Sequence, residues 1–305
     1  MANRNVDLSR KLTRESSIQS YITALLLVDK DLQEDCLRAY AYFRWVDDQV
    51  DDPKTSFHER EAFINRQKLL VDSLYKNQKP KDLSSFEEII GNLISHDRGF
   101  NSGLRSFVDN FIRIIEFDAH RKNQLISQEQ LDWYSQRLGI AVTDAIQYFV
   151  RNGHPYPDGE NRYAAATAAH ITHMLRDMRQ DIDVGYFNFP AEYSDYEIDS
   201  HEFKEWVRSR VLAARDGFRL GKSYIDSLDV LRCKLAGYWY CTRFEDILDV
   251  IEADAYHLRE NYSRRYKISV WLRMVQVGLS IAAKHLSAKS ISKLSRRERS
   301  LRQTV

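Results

Sequence analysis

Two carboxylate-rich stretches hold the residues of this chain whose types and spacing could do chemistry. The first, AYAYFRWVDDQVDD at 39–52, runs without glycine or proline up to Pro53 and so reads as the last turns of a helix. At helical spacing Arg44, Asp47, Asp48 and Asp51 share one face, with Tyr40 a turn earlier. A helix C-terminus already carries partial negative charge, so carboxylates gathered there need a cation among them. For an isolated cluster, a solvated helix end with an Arg44–Asp48 pair would suffice. The second stretch, AAHITHMLRDMRQDIDVGYFNFP at 168–190, repeats the spacing with Asp177 and Asp181. His170 and His173 continue that stripe toward the N-terminus, and Arg176 lies beside it. Two such helices facing each other across a cavity would bring four carboxylates together, which is tolerable only around cations. Hard oxygen ligands suit Mg²⁺, which commonly bridges carboxylates to a substrate diphosphate. One Asp-x-x-x-Asp is a weak signal; the pair is specific.

The elements that must position these residues read as helices. Eleven glycines and five prolines are few for 305 residues, and prolines are absent from 81–154 and after 190, which predicts an all-α chain of long helices. Helical segments are expected at 16–32, 61–76, 86–96, 104–121, 126–150, 201–229 and 231–262, with a capping box of Ser127 and Gln130 opening the fifth. The tyrosine-rich connection 184–200, directly after the second aspartate pair, reads as a lid. Residues 1–15 form an N-terminal extension, 16–265 one catalytic domain, and 266–305 an apolar helix with a basic tail. A net charge of +1 gives no reason to expect nucleic acid as a partner. Cys36, Cys233 and Cys241 are scattered, which argues against disulfides or zinc and for a reducing compartment. The N-terminus lacks the apolar core of a signal peptide, so a cytoplasmic protein is expected.

The tail leaves two alternatives open. The apolar stretch 268–283 is too short to span a bilayer, which takes about 20 residues. Lys284, Lys289, Lys293, Arg296, Arg297, Arg299 and Arg302 follow, with Glu298 the only acid. The segment 268–305 suits peripheral contact with an anionic membrane, or its apolar part closes the bundle or a dimer interface. Oligomeric state is not readable from the residues.

The motif YxxxRxxDDxxDD at 40–52 and LRDMRQD at 175–181, followed by Gly185 and Pro190, resemble the two aspartate-rich motifs of the squalene/phytoene synthases. The resemblance runs from about Ser17 to about Tyr262. It implies an isoprenoid-synthase helical bundle around a central cavity, two or three Mg²⁺ ions, and an allylic prenyl diphosphate substrate such as farnesyl or geranylgeranyl diphosphate. Carried over residue by residue, it implies that Asp47, Asp48, Asp51, Asp177 and Asp181 serve the metal, and that His173 stands where the family has an asparagine ligand. Arg44 and Arg176 would hold the departing diphosphate, and Tyr134 would lie near it and the reacting carbons. Ser20, Tyr21, Tyr40 and His170 would line the substrate site. The alternative for Ser20 and Tyr21 is a helix start with a core tyrosine, and for the two histidines hydrogen bonding in the cavity wall.

Several positions depart from the family pattern. His170 and His173 replace glutamine and asparagine, LGIAVT at 138–143 replaces a glycine-containing motif, and Tyr186-Phe187-Asn188 replaces Arg-x-Tyr. Phe244 and Asn261 stand where tyrosine and arginine are expected. These departures touch the second diphosphate, so the narrower expectation is a single-substrate class I terpene synthase that cyclises or quenches the cation. The alternative is a head-to-head prenyltransferase making a squalene- or phytoene-like C30 or C40 product. The third is a non-catalytic helical assembly factor, against which the four retained aspartates argue, since unserved carboxylates in a cavity are an electrostatic cost.

Overall fold

Serine decides where most of the helices begin. Ser17, Ser56, Ser84, Ser102, Ser127 and Ser200 each accept a hydrogen bond from the backbone N–H three residues on, and three of them complete capping boxes with Glu59, Glu87 and Gln130. Each cap is worth about 1 kcal/mol. The computed structural model describes residues 2–52, 54–78, 80–97, 99, 102–262 and 270–287. The basic segment expected at 289–302 lies outside these residues.

The helices are α1 (Ala2–Ser16), α2 (Ile18–Leu27), α3 (Gln33–Asp51), α4 (Phe57–Tyr75), α5 (Ser85–His96), α6 (Gly103–Arg121), α7 (Gln128–Phe149), α8 (Ala164–Asp183), α9 (His201–Asp226) and α10 (Leu231–Ala253). A further helix, α11, covers 270–287. Among the described residues there is no strand, only an isolated bridge between Ile126 and Pro190, so the all-α expectation holds. Helices α6 to α9 pack in succession, α10 lies against α8, α9 and α2, and α3 lies against α1, α2, α5 and α6. The expected extension at 1–15 is thus a helix seated on α3, with Ser9 and Thr13 buried.

The back of α3 is fixed by a buried polar chain. The Tyr42 hydroxyl donates to Gln67 Oε1 at 2.9 Å, Gln67 Nε2 donates to Glu87 Oε1 at 3.1 Å, and Arg66 Nε reaches the same carboxylate at 2.6 Å. With α4 and α5 locked behind it, α3 presents Asp47 to the interior cavity while Asp48 and Asp51 stay exposed at its edge. On the other side, α7 and α8 meet at Gly139, where a β-carbon would stand 2.2 Å from Thr167 Oγ1 and 2.9 Å from Thr167 N. The small-residue run 164–169 of α8 accepts this approach, and it brings Tyr134 of α7 against His170 of α8.

Two expectations about element ends are corrected. The helix expected over 231–262 stops at Ala253, because Ala255 and Tyr256 take left-handed backbone with φ of 50° and 63°. The first half of the expected lid, 184–190, is pinned instead: Tyr186, Asn188 and Phe189 are buried.

Candidate active site

The C-terminal half of α3 and the middle of α8 open on one cavity of about 590 Å³. Its apolar wall comes from Ala24, Leu27 and Val28 of α2, Phe43 of α3, Phe107, Phe111 and Ile114 of α6, and Leu138, Ile146 and Phe149 of α7. Trp239 and Tyr240 of α10 and Met274 of α11 complete it. The polar residues gather around Arg44, Asp47, Asp118, Tyr134, His173 and Arg243. A volume of this size lies in the usual range for a small-molecule site, about 300–1,000 Å³.

Of the residues singled out in the sequence, Ser20, Tyr40, Arg44, Asp47, Tyr134, His170 and His173 line this cavity. Tyr21 does not; it is half-buried and packs against the core, and Asp48, Asp51, Arg176, Asp177 and Asp181 stand outside the lining as well. Arg44 pairs with Asp47 at 3.3 Å and with Asp48. Asp51 accepts the Tyr186 hydroxyl at 2.7 Å. On α8, Asp177 takes Arg176 Nε at 2.6 Å, and His173 Nε2 stands 3.1 Å from it. Asp181 accepts Asn188 Nδ2 at 2.6 Å.

Between the two helices lies a carboxylate to which the sequence reading attached no role. Asp118, at the end of α6, accepts Arg121 Nε at 2.7 Å and the Tyr134 hydroxyl at 2.7 Å. Arg121 Nη1 reaches Asn188 Oδ1 at 2.9 Å, and its guanidinium lies over the Tyr134 and Tyr186 rings. Asp118, Arg121, Tyr134, Asn188, Asp181, Tyr186 and Asp51 therefore belong to one region of hydrogen bonds and ring contacts, held in place by the segment after Gly185. Gly185 itself has a φ of 88° and sits so close to Asn123 that a side chain would collide with it. The signal for Asp118 was in the sequence: it continues the apolar stripe of Phe111 and Ile114, where a charged residue needs a reason.

The electrostatics follow from this crowding. Burial, then the charge of Asp51, push the Asp47 carboxyl up to about 7. Burial, then Asp177, do the same to Asp181, again to about 7. Asp118 acts on both and is itself raised by burial, against the pull of Arg121. Burial, helped by Arg176, lowers His173 to about 4, so its ring is neutral near pH 7 and can donate to Asp177. His170 is likewise held neutral by burial, edge-on to Tyr134 with ring centroids 4.5 Å apart. Its Nδ1 finds no hydrogen-bond partner among the described residues, so the cavity-wall reading leaves that atom unserved. The oxygen donors available to a hard cation at this mouth are Asp47, Asp51, Asp118, Asp177 and Asp181. Among the described residues no three His, Cys, Asp or Glu side chains converge into a ready-made metal cage.

An all-helical bundle whose apolar cavity opens between two aspartate-bearing helices is the isoprenoid-synthase architecture that the sequence motifs implied. The squalene/phytoene synthase family pattern matches residues 13–272, and the chain belongs to that family. No curated protein sequence matches it. Solved structures with the same fold include squalene synthase HpnC from Alicyclobacillus acidocaldarius, 18% identical, with a TM-score of 0.65 over 84% of this chain and 95% of that one. A ligand-bound dehydrosqualene synthase is 14% identical, with a TM-score of 0.69 over 93% of this chain and 98% of that one.

Proposed function

We propose that this protein joins two allylic prenyl diphosphates head to head, with Mg²⁺ as cofactor and release of pyrophosphate. The observation that carries the reading is the cavity: an aromatic and aliphatic pocket whose polar side is lined by Asp47 of α3, Asp118 of α6 and His173 of α8, one turn before Asp177. Family membership over most of the chain favours two-substrate condensation over the single-substrate terpene synthase preferred from the sequence departures.

The residues fit the cofactor. Their donors are oxygens, Asp47 and Asp181 are made proton-hungry by burial and then by the neighbouring Asp51 and Asp177, and among the described residues no complete cage exists. Mg²⁺ is usually held by one or two carboxylates together with substrate phosphates, not by an all-protein cage. When bound by Asp47, Asp51, Asp177 and Asp181, it would neutralise the diphosphate as the C–O bond breaks. Arg44 and Arg176 would add charge-assisted hydrogen bonds to the same group. The allylic cation left behind needs a dry wall, and Phe43, Phe107, Phe111, Phe149, Trp239 and Tyr240 supply one with aromatic faces. Tyr134 holds its proton well above the usual range, because burial and Asp118 disfavour the phenolate. It therefore acts at the cavity wall as a neutral hydroxyl.

Single-substrate ionisation is the second reading, favoured by Asn188 and Tyr186. Where the family has a diphosphate-binding arginine and tyrosine, these side chains are spent on Asp181 and Asp51. Incubation with C15 and C20 diphosphates separately, followed by mass spectrometry of the hydrocarbons, tests the proposal. C30 or C40 products are expected; C15 or C20 hydrocarbons and alcohols alone would replace it with the second reading.

The membrane contact expected of the tail is proposed for α11. Its inner face packs on α10, where Trp239 Nε1 donates to Met274 O at 3.0 Å. Its outer face exposes Trp271, Leu272, Val275 and Leu279. No helix among the described residues is long and apolar enough to cross a membrane. With Lys284 and the basic sequence beyond it, the outer face suits an anionic lipid surface. Cosedimentation with anionic vesicles is expected for the wild type and should be lost in Leu272→Glu/Leu279→Glu; binding that survives these changes removes α11 as the contact.

A further inference from the structure

One cation on the cavity wall has no counter-ion. Arg44, Arg121 and Arg176, the other arginines around the mouth, are each tied to a carboxylate. Arg243 of α10 also lines the cavity, but among the described residues its side chain makes neither a hydrogen bond nor an ion pair. Its surroundings are the phenols of Tyr40 and Tyr240, the Phe244 ring at 5.5 Å, and the like charge of Arg176. Burial, with Arg176, lowers its hold on the proton. A half-buried guanidinium without a carboxylate is costly, and the Phe244 ring offsets only part of that cost.

What surrounds Arg243 is a set of donors. Tyr40 and Ser20 line the same cavity with hydroxyls, and the His173 ring lines it too. A guanidinium facing a cavity beside neutral donors is suited to a phosphate oxygen pair, which its planar fork matches better than an ammonium would. We propose that Arg243, with the Tyr40 hydroxyl, is a diphosphate subsite on the α10 side of the cavity mouth, holding the substrate's anionic end by charge and hydrogen bonds without a metal. The assignment rests on the prenyl diphosphate reading of this cavity and adds a specificity residue that the aspartate motifs do not contain. It also accounts for a half-buried cation that packing alone would not select. Along α10 it continues the cavity-lining stripe of Ala236, Trp239 and Tyr240.

Calorimetric titration with inorganic pyrophosphate, in EDTA and again with Mg²⁺, tests the subsite on the wild type, Arg243→Met and Arg243→Lys. Arg215→Gln, on the α9–α10 surface where Arg215 pairs with Asp249 and Glu252, is the control. Without metal, Arg243→Met should bind pyrophosphate on the order of 10- to 100-fold more weakly, the loss expected for one charged hydrogen-bonding partner. Arg243→Lys should fall between the two, and Arg215→Gln should match the wild type. Orthophosphate should bind all of them weakly and alike. In a thermal melt the free Arg243→Met protein should be as stable as the wild type or more so, because a desolvated, unpaired charge has gone. Wild-type affinity in Arg243→Met overturns the proposal. So does a lower melting temperature in Arg243→Met combined with no recovery of binding in Arg243→Lys, which would make Arg243 a packing residue. If the wild type turns over a prenyl diphosphate while Arg243→Met binds pyrophosphate unchanged, the site reading stands and only Arg243 falls. If the wild type neither binds pyrophosphate nor turns over, both fall.

Discussion

The two aspartate-bearing helices reach the same cavity by different means. On α3 Asp47 and Asp48 are held by a neighbour on their own helix, Arg44, one turn or less away, and only Asp51 takes a distant partner, the Tyr186 hydroxyl. On α8 Arg176 and His173 hold Asp177 in the same local way, but Asp181 is held by Asn188, which the Arg121–Asp118 pair steadies from α6. One carboxyl in each pair, Asp47 and Asp181, is driven up to about 7, and Asp118 adds to both. A local cation can steady a helix end by itself. A carboxylate that faces another helix needs a scaffold from a third.

The largest effects should come from the aspartates themselves. Asp47→Asn and Asp177→Asn should each lower kcat for pyrophosphate release by on the order of 10³-fold or more while the helical circular dichroism stays intact. Equal losses mean that the two helices serve one charged group; full activity in either variant breaks the symmetry. Asp118→Asn comes next. It strips Arg121 of its carboxylate, and breaking a buried pair costs about 3–5 kcal/mol, so denaturant melts should show a clear loss of stability. Unchanged stability would mean that Asp118 does not carry the scaffold.

A pH series sharpens the same contrast. Asp47 and Asp181 bind a proton more tightly in the folded protein, at about 7, than at the ordinary 3.8 of the unfolded chain. Between those values the folded state holds more protons, so stability falls as pH rises from about 4 to about 7. Metal-free protein should therefore melt at a higher temperature near pH 5 than near pH 8. Asp47→Asn/Asp181→Asn should flatten that slope, and a slope that persists in the double variant would place its origin elsewhere. The smallest effect is expected from Tyr186→Phe, which removes one hydrogen bond to Asp51 and should cost about 1 kcal/mol in a denaturant melt.

What the sequence made legible follows the same divide. The aspartate pairs, their local arginines and the helix start at Ser127 were readable because each partner lies within one turn of the other. The link between Tyr186 and Asp51 spans 135 residues and that between Arg121 and Asn188 spans 67, and no local pattern announces either. Asp118 and Arg243 are intermediate cases: each interrupts an apolar stripe that was visible, yet what lay opposite them was not. The first half of the expected lid, 184–190, is pinned for a physical reason. Its tyrosine and asparagine look like loop residues until the carboxylates they serve, Asp51 and Asp181, are in view.

Head-to-head coupling is tested most directly by an isotope crossover. An equal mixture of deuterated and unlabelled C15 diphosphate is incubated with the enzyme and Mg²⁺, and the products are weighed by mass spectrometry. Condensation of two substrates predicts unlabelled, half-labelled and fully labelled molecules together in the C30 product. Products that carry only all or none of the label, at the mass of a single chain, would contradict it.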